Sequence, residues 1–110
     1  MRVGITEVID SGHFLPGHPR CGKPHGHTYR IDVSAEGPVV NGMVIDFSEL
    51  KAKLREIARP FDHIMLNDLL PFPSCENLAA EIHRRLRAQV PMSLTVRVWE
   101  GEGKFAEICG

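Results

Sequence analysis

Apolar and polar residues alternate along three segments of the chain, and a period of two is typical of half-buried strands. A fourth strand is expected after Gly101-Glu102-Gly103, because this glycine-rich turn leads into residues 104–109 and predicts a hairpin. The first strand runs towards Ser11-Gly12-His13, with a loop beginning at His13. The apolar faces of the three alternating segments carry Val3, Ile5 and Ile9; then His27, Tyr29, Ile31 and Val33; then Leu94, Val96 and Val98.

Two other segments have helical spacing. Asp46-Phe47-Ser48-Glu49 resembles a capping box, and a helix should follow until Pro60. Ser74 can cap a second helix that ends before Pro91. The apolar stripes are Phe47, Leu50, Leu54 and Ile57 in the first helix, and Cys75, Leu78, Ile82 and Leu86 in the second.

The order β-β-α-α-β-β predicts an α+β fold, a four-stranded antiparallel sheet with two helices on one face. The other face and the sheet edges would be left for neighbouring subunits to close, which favours assembly into an oligomeric β-barrel. The chain has 110 residues, of which 43% are hydrophobic and 25% charged. This composition is typical of one globular domain, so residues 1–110 are expected to form a single domain.

Charge and cysteine content exclude some classes of protein. Lys and Arg number 13 against 14 Asp and Glu, a formal net charge of -1, which lacks the basic excess typical of nucleic-acid binding. No apolar run is long enough for a signal peptide core or a membrane span. The three cysteines do not make a paired disulfide framework. We therefore expect a cytoplasmic protein with free thiols and no membrane or nucleic-acid partner.

Histidines and one cysteine cluster early in the chain and suggest metal chemistry. His13, His25 and His27 provide three imidazoles, and the parity of the second strand directs His25 and His27 to one face. Three neutral ligands leave a position open on a catalytic zinc ion. Cys21 lies between Arg20 and Lys23, surroundings that favour a thiolate. Alternatively, Cys21 is a fourth ligand that closes a structural zinc site.

A family resemblance is carried by motifs spread over nearly the whole chain. In order, they are Cys21-Gly22-Lys23-Pro24-His25-Gly26-His27, Gly42-Met43-Val44-Ile45-Asp46-Phe47, Asp62-His63 with Leu66-Asn67, Glu76-Asn77 and Glu100. This set resembles the 6-pyruvoyltetrahydropterin synthase superfamily, whose fold is the tunnelling fold. The three residues between Cys21 and His25 resemble its 6-carboxytetrahydropterin synthase branch.

The resemblance implies a role for each matching residue. His13, His25 and His27 match the zinc ligands, and no ligand position corresponds to His18. Cys21 matches the catalytic base of the family. Asp62 and His63 match an acid/base pair that reaches the cysteine across a subunit interface. Glu100 matches the carboxylate that binds the pterin ring. By strand alternation, Glu100 also lies on the same face as the apolar residues of its strand, where a glutamate is unusual.

The implied activity is that of a zinc-dependent lyase. It would convert 7,8-dihydroneopterin triphosphate to 6-carboxy-5,6,7,8-tetrahydropterin, with release of acetaldehyde and triphosphate, as in queuosine and other deazapurine biosynthesis. The implied assembly is a homo-oligomer, a hexamer built as a dimer of trimers, with active sites between subunits. The alternatives are a 6-pyruvoyltetrahydropterin synthase or related dihydropterin-forming enzyme, and a non-catalytic zinc or pterin-binding protein.

Overall fold

The computed structural model describes residues 1–110 and contains four strands, two α-helices and two short 3-10 turns. Neither helix has the length and apolar character needed to cross a membrane. The elements are β1 (Arg2–His13), β2 (His25–Glu36), α1 (Phe47–Ala58), 3-10 turns at Arg59–Phe61 and Leu66–Asp68, α2 (Cys75–Gln89), β3 (Ser93–Glu100) and β4 (Lys104–Cys109). The predicted order β-β-α-α-β-β is confirmed.

The four strands form one antiparallel sheet in the order β1-β2-β3-β4. In this register His13 lies opposite His25, and Glu100 lies opposite both Tyr29 on β2 and Lys104 on β4. The sequence predicts a loop from His13, but this residue is the last of β1 because it still pairs with β2. The register therefore brings the chemically interesting residues to one end of the sheet.

The hydrophobic core lies between one face of the sheet and the two helices. Nineteen buried residues form it, and strand alternation places the buried side chains of β2 and β3 on the helix side. Burial of a leucine or isoleucine side chain contributes about 1.5 to 3 kcal/mol, so this layer supplies most of the driving force for folding. The completely buried members include Tyr29, Ile31, Leu50, Leu54, Phe61, Leu78, Ile82, Leu86, Leu94 and Val98.

Both predicted helix starts are confirmed by capping contacts. The Asp46 carboxylate accepts from the Ser48 N–H at 2.7 Å, and the Ser74 hydroxyl accepts from the Asn77 N–H at 3.1 Å. Each bond satisfies a backbone donor that has no partner inside the helix. Pro60 lies within the 3-10 turn that follows α1, as expected for a residue that cannot continue a helix.

Phe47 departs from the predicted apolar stripe of α1, since 56% of it is exposed. It is the first residue of the helix and lies beside a cavity of about 480 Å³, which Val39 and Met43 also line. Val40 in the same segment is 62% exposed. We call residues 39–47 the apolar loop, and the side chains of Val39, Val40, Met43 and Phe47 in it are exposed in the single chain.

The face of the sheet away from the helices carries charged and aromatic side chains. The Trp99 Nε1–H donates to Asp32 at 2.9 Å, and the Arg30 guanidinium lies 4.7 Å from the Trp99 ring centre. Arg97 pairs with Glu107 at 2.8 Å. Burial acts to raise the pKa of Asp32, but hydrogen bonds from Thr6 and Trp99 and the charge of Arg30 outweigh it, so the pKa is lowered. The face is thus polar and ordered without a covering layer.

Candidate active site

Three imidazoles meet at the end of the β1–β2 pair. His13 ends β1, His25 begins β2, and His27 follows two residues later on the same side of that strand. One ring nitrogen from each residue lies within 4.8 Å of the other two. Neither Cys21 nor His18 contributes an atom to this cluster. The structure therefore brings together the three predicted histidines and leaves a set of three ligands.

Backbone carbonyls orient two of the rings. Nδ1 of His13 lies 2.8 Å from the Pro73 carbonyl oxygen, and Nδ1 of His25 lies 2.7 Å from the Lys23 carbonyl oxygen. A carbonyl only accepts, so each Nδ1 carries a proton, and in the form of the ring that binds a metal the lone pair is on Nε2. Those two Nε2 atoms are 3.0 Å apart. Two facing lone pairs repel each other unless a cation lies between them, which fits a metal site.

The third imidazole is also prepared to act as a ligand. The His27 Nε2 atom is buried and has no hydrogen-bond partner, although a Glu100 oxygen lies 3.4 Å away. Burial lowers the pKa of His27, and the negative charge of Glu100 opposes this. A neutral imidazole with a free nitrogen is the form that binds a metal. The cluster thus fits a divalent metal, and all-imidazole coordination suits zinc well.

Cys21 lies in the loop between β1 and β2, and His18 fixes its backbone. Nδ1 of His18 accepts from the N–H groups of Arg20 at 3.1 Å and Cys21 at 2.9 Å, while Leu15 donates to the Cys21 carbonyl at 2.6 Å. The Cys21 side chain is partly buried. His18 therefore shapes the loop that carries the thiol, a contact that the sequence did not predict because it depends on the exact turn.

Asp62 and His63 form the predicted pair at the open edge of β1. Nδ1 of His63 lies 2.8 Å from an Asp62 oxygen, and the same oxygen accepts from the Asp10 N–H at 2.9 Å. These bonds, with that of Asp10 foremost, lower the pKa of Asp62 although burial opposes them. Backbone bonds from His63 to Asp10 and from Gly12 to Ile64 attach the segment to β1. The carboxylate therefore stays charged and orients the ring.

The backbone at His63 is in the left-handed region, with φ of 56°, and its side chain is 77% exposed. A positive φ is uncommon for a residue other than glycine, and it occurs where the surrounding structure holds the backbone. His63 and His27 line one surface depression of about 620 Å³. Cys21 does not line that depression. The single chain therefore leaves the pair facing open solvent and apart from the thiol loop.

Glu100 lies at a second cavity, on the helix side of the sheet as its parity predicts. Its side chain is 13% exposed, and one oxygen is 3.4 Å from both His27 Nε2 and Lys104 Nζ. The Cys75 thiol donates to the Val98 carbonyl at 3.0 Å, and burial raises its pKa to about 11. The cavity has a volume of about 480 Å³; its lining includes Leu15, Ser74, Cys75, Glu76, Glu100, Lys104, Phe105 and Ala106.

Two features of this region were not predicted from the sequence. The Tyr29 hydroxyl is completely buried beside the histidines and has no hydrogen-bond partner. Burial, and then the charge of Glu100, raise the pKa of Tyr29, so the phenol stays protonated. Lys104 is paired with Glu100 across the final hairpin. Strand register could have indicated the Lys104 contact, whereas an unpartnered hydroxyl leaves no signal in a sequence.

The fold and the imidazole cluster define a small α+β protein with a site suited to a metal, and comparison with known proteins makes its family clear. The model of the family described as 6-pyruvoyl tetrahydropterin synthase matches residues 2–110. The chain belongs to this pterin synthase family.

Curated relatives extend the likeness over the whole chain. A protein of Archaeoglobus fulgidus, provisionally assigned as a 6-carboxy-5,6,7,8-tetrahydropterin synthase, is 40% identical over 109 residues, 98% of this chain and 95% of the relative. The 6-carboxy-5,6,7,8-tetrahydropterin synthase of Synechocystis sp. is 37% identical over 103 residues, 84% of this chain and 80% of the relative. A dihydroneopterin monophosphate aldolase of Pyrococcus furiosus is 35% identical over 80 residues, 70% of each chain.

Solved structures confirm the fold. The 6-pyruvoyl tetrahydropterin synthase of Caenorhabditis elegans superposes with a TM-score of 0.91 over 100% of this chain and 95% of that chain, at 20% identity. That of Plasmodium falciparum superposes with a TM-score of 0.86 over 100% of this chain and 97% of that chain, at 19% identity. The predicted fold of the family is thereby confirmed for the single chain.

Proposed function

We propose that this chain is a zinc-dependent lyase that converts 7,8-dihydroneopterin triphosphate and water to 6-carboxy-5,6,7,8-tetrahydropterin, acetaldehyde and triphosphate. The pterin product would serve queuosine and related deazapurine biosynthesis. The observation that carries the proposal is the cluster of three preoriented imidazoles next to Glu100. The names of the Archaeoglobus and Synechocystis relatives support the choice of product. We expect the protein to act in the cytoplasm.

His13, His25 and His27 would hold the zinc ion. Zinc bound there supplies a Lewis acid that acidifies coordinating hydroxyl groups of the substrate side chain. The backbone carbonyls that fix His13 and His25 keep these two rings in the tautomer that binds metal. One of these bonds, that of His13, is buried, and the bond of His25 is exposed.

Cys21 is the proposed base that takes a proton from the substrate. Arg20 and Lys23 are its neighbours along the chain, and positive charge favours a thiolate. The turn held by His18 keeps the Cys21 backbone in place. Because the thiol contributes no atom to the imidazole cluster, it remains available for proton transfer, which supports a catalytic role over a fourth ligand.

Asp62 and His63 form the proposed acid/base pair. The Asp62 carboxylate accepts from Nδ1 of His63, which leaves Nε2 to give or take a proton. The low pKa of Asp62 keeps this partner charged while the ring changes its protonation state. Exposure of the ring lets it reach a substrate held by a neighbouring surface.

Glu100 is the proposed anchor for the pterin ring. An aminopyrimidinone edge presents two neighbouring N–H donors, and a carboxylate accepts both as a fork. The cavity of about 480 Å³ beside Glu100 has room for a bicyclic ring. Binding there would direct the substrate side chain towards His27, whose Nε2 is 3.4 Å from the same carboxylate.

We also propose a homo-oligomer, a hexamer formed as a dimer of trimers, in which His63 of one copy meets Cys21 of another. Three features support this assembly: the exposed His63, the exposed apolar loop of residues 39–47, and the free outer edge of β4. Light scattering in solution tests it, and a monodisperse monomer that turns over substrate would rule it out.

The second candidate function is a related pterin enzyme with another product. The Pyrococcus furiosus relative named as a dihydroneopterin monophosphate aldolase favours this alternative, as does a Poecilia reticulata relative named 6-pyruvoyl tetrahydrobiopterin synthase. The metal cluster and Glu100 would serve such an enzyme equally well. A non-catalytic zinc or pterin-binding protein is the third possibility, and it requires an inert Cys21.

Product analysis separates these functions. Zinc-loaded protein is incubated with 7,8-dihydroneopterin triphosphate, and the pterin is identified by mass spectrometry. We expect a 6-carboxy product from the wild type and none from Cys21→Ala, with Cys109→Ala as the matched control because that thiol is exposed near the chain end. A pyruvoyl or hydroxymethyl product would identify a sister activity, and no turnover would favour the binding protein.

A further inference from the structure

Lys104 and Glu100 face each other at the closed end of the final hairpin. They are directly opposite in the β3–β4 register, and Nζ lies 3.4 Å from one Glu100 oxygen. Both side chains line the cavity of about 480 Å³ between this hairpin and the start of α2. Only the three residues 101–103 connect the two strands, and Gly101 takes a positive φ of 68°. The short turn therefore fixes the spacing of the pair.

The two side chains together present two acceptors and then a donor. The Glu100 carboxylate contributes two oxygen acceptors, and the Lys104 ammonium, next to one of them, contributes N–H donors. The edge of an aminopyrimidinone ring has the complementary order: an exocyclic amino group, a ring N–H and a carbonyl oxygen. A carboxylate alone recognises the two donors and leaves the carbonyl without a partner.

We propose that Lys104 is a substrate-recognition residue whose ammonium group donates to the ring carbonyl of the pterin while Glu100 binds the two adjacent N–H groups. The inference rests on the proposed function, because it takes Glu100 as the anchor of the ring. Together, Glu100 and Lys104 would select a 2-amino-4-oxo ring over a 2,4-diamino ring.

A purely stabilising ion pair explains the contact less well. The Lys104 side chain is 73% exposed, and an exposed ion pair contributes little to stability. Its Nζ makes no other ion pair, although Glu76 and Glu107 also line the cavity. An ammonium group beside the anchor and free of other carboxylates can therefore turn towards a bound ring.

The test measures the ring preference of the metal-loaded protein. Fluorescence titrations determine the dissociation constants of neopterin and of its 2,4-diamino counterpart for wild type, Lys104→Met, Lys104→Arg and the control Lys53→Met. Lys53 lies on α1 and does not line the cavity. Because the diamino ring also lacks the N–H next to C4, Glu100 discriminates as well, so the quantity of interest is the change in preference between variants.

We expect Lys104→Met to bind neopterin about tenfold more weakly. Its preference for neopterin over the 2,4-diamino ring should fall about tenfold as well, which is the effect of losing one charge-assisted hydrogen bond. Lys104→Arg, which keeps a donor, should retain most of the preference, and Lys53→Met should match the wild type. An unchanged preference in folded Lys104→Met would overturn the inference alone. Failure of the wild type to bind neopterin would overturn the proposed function and this inference with it.

Discussion

Removal and return of the metal test whether the cluster of His13, His25 and His27 is a metal site. The Nε2 atoms of His13 and His25 face each other at 3.0 Å, and the buried His27 Nε2 has no hydrogen-bond partner within the protein. A buried polar atom without a partner costs about 1 to 3 kcal/mol, and a bound metal ion would supply that partner for His27. Zinc at a hundred times its dissociation constant stabilises by about 2.7 kcal/mol. For a chain of this length, that corresponds to a rise of about 10 °C in the unfolding temperature.

Calorimetry of chelator-treated protein, with and without free zinc at a hundred times its dissociation constant, measures this rise. His25→Ala should abolish most of the rise in unfolding temperature. Loss of a residue that only orients a ligand weakens metal binding by about 10- to 100-fold, and loss of the ligand itself should weaken it at least as much. His18→Ala and Cys21→Ser are the matched controls, and both should keep the zinc response. Equal unfolding temperatures with and without zinc would refute the metal site, and loss of the response in Cys21→Ser would show that the thiol is a ligand.

Three further predictions concern stability and can be checked by denaturant titration. Glu81→Gln should destabilise the protein by about 1 kcal/mol at pH 7, because bonds from Arg84 and Arg85 lower the pKa of Glu81 to about 2. Since the folded pKa is depressed, the contribution is complete above about pH 5 and disappears towards pH 2, where the two proteins should match. Tyr29→Phe should leave stability unchanged or raise it by up to about 1 kcal/mol, because it removes an unpaired buried hydroxyl; a clear loss would mean that this hydroxyl has a partner. Ser74→Ala should cost about 1 kcal/mol by removing the cap of α2, and a neutral effect would contradict the capping role.

Strand parity accounts for how much of the site could be predicted from the sequence. Alternation directs His25 and His27 to the helix side, and the same rule places Glu100 with the buried residues of β3. His13 joins them because the first hairpin register sets it opposite His25. The period of two is local information, so a sequence carries it well.

Contacts between distant segments could not be predicted in the same way. The carbonyl that orients His13 belongs to Pro73, 60 residues further along the chain. The positive φ of His63 depends on backbone pairing with β1. Phe47 follows the helical period and is nevertheless exposed. Periodicity predicts which side of the helix a residue lies on, but it does not predict whether the core extends as far as the first turn of the helix. These features depend on packing, which no local pattern encodes.

The distribution of the site over the chain bears on why this protein should assemble. Proton transfer at a substrate carbon benefits from a closed site, because excluding bulk water strengthens the electrostatic interactions between the substrate and the side chains around it. In the single chain the His63 ring is 77% exposed, and the depression that it lines does not include Cys21. His13 is completely buried and the Glu100 side chain is 13% exposed, whereas the His63 ring has no cover in the single chain. A second copy docked against the apolar loop and the free strand edges would supply such a cover, and it would make catalytic activity depend on protein concentration below the dissociation constant of the assembly.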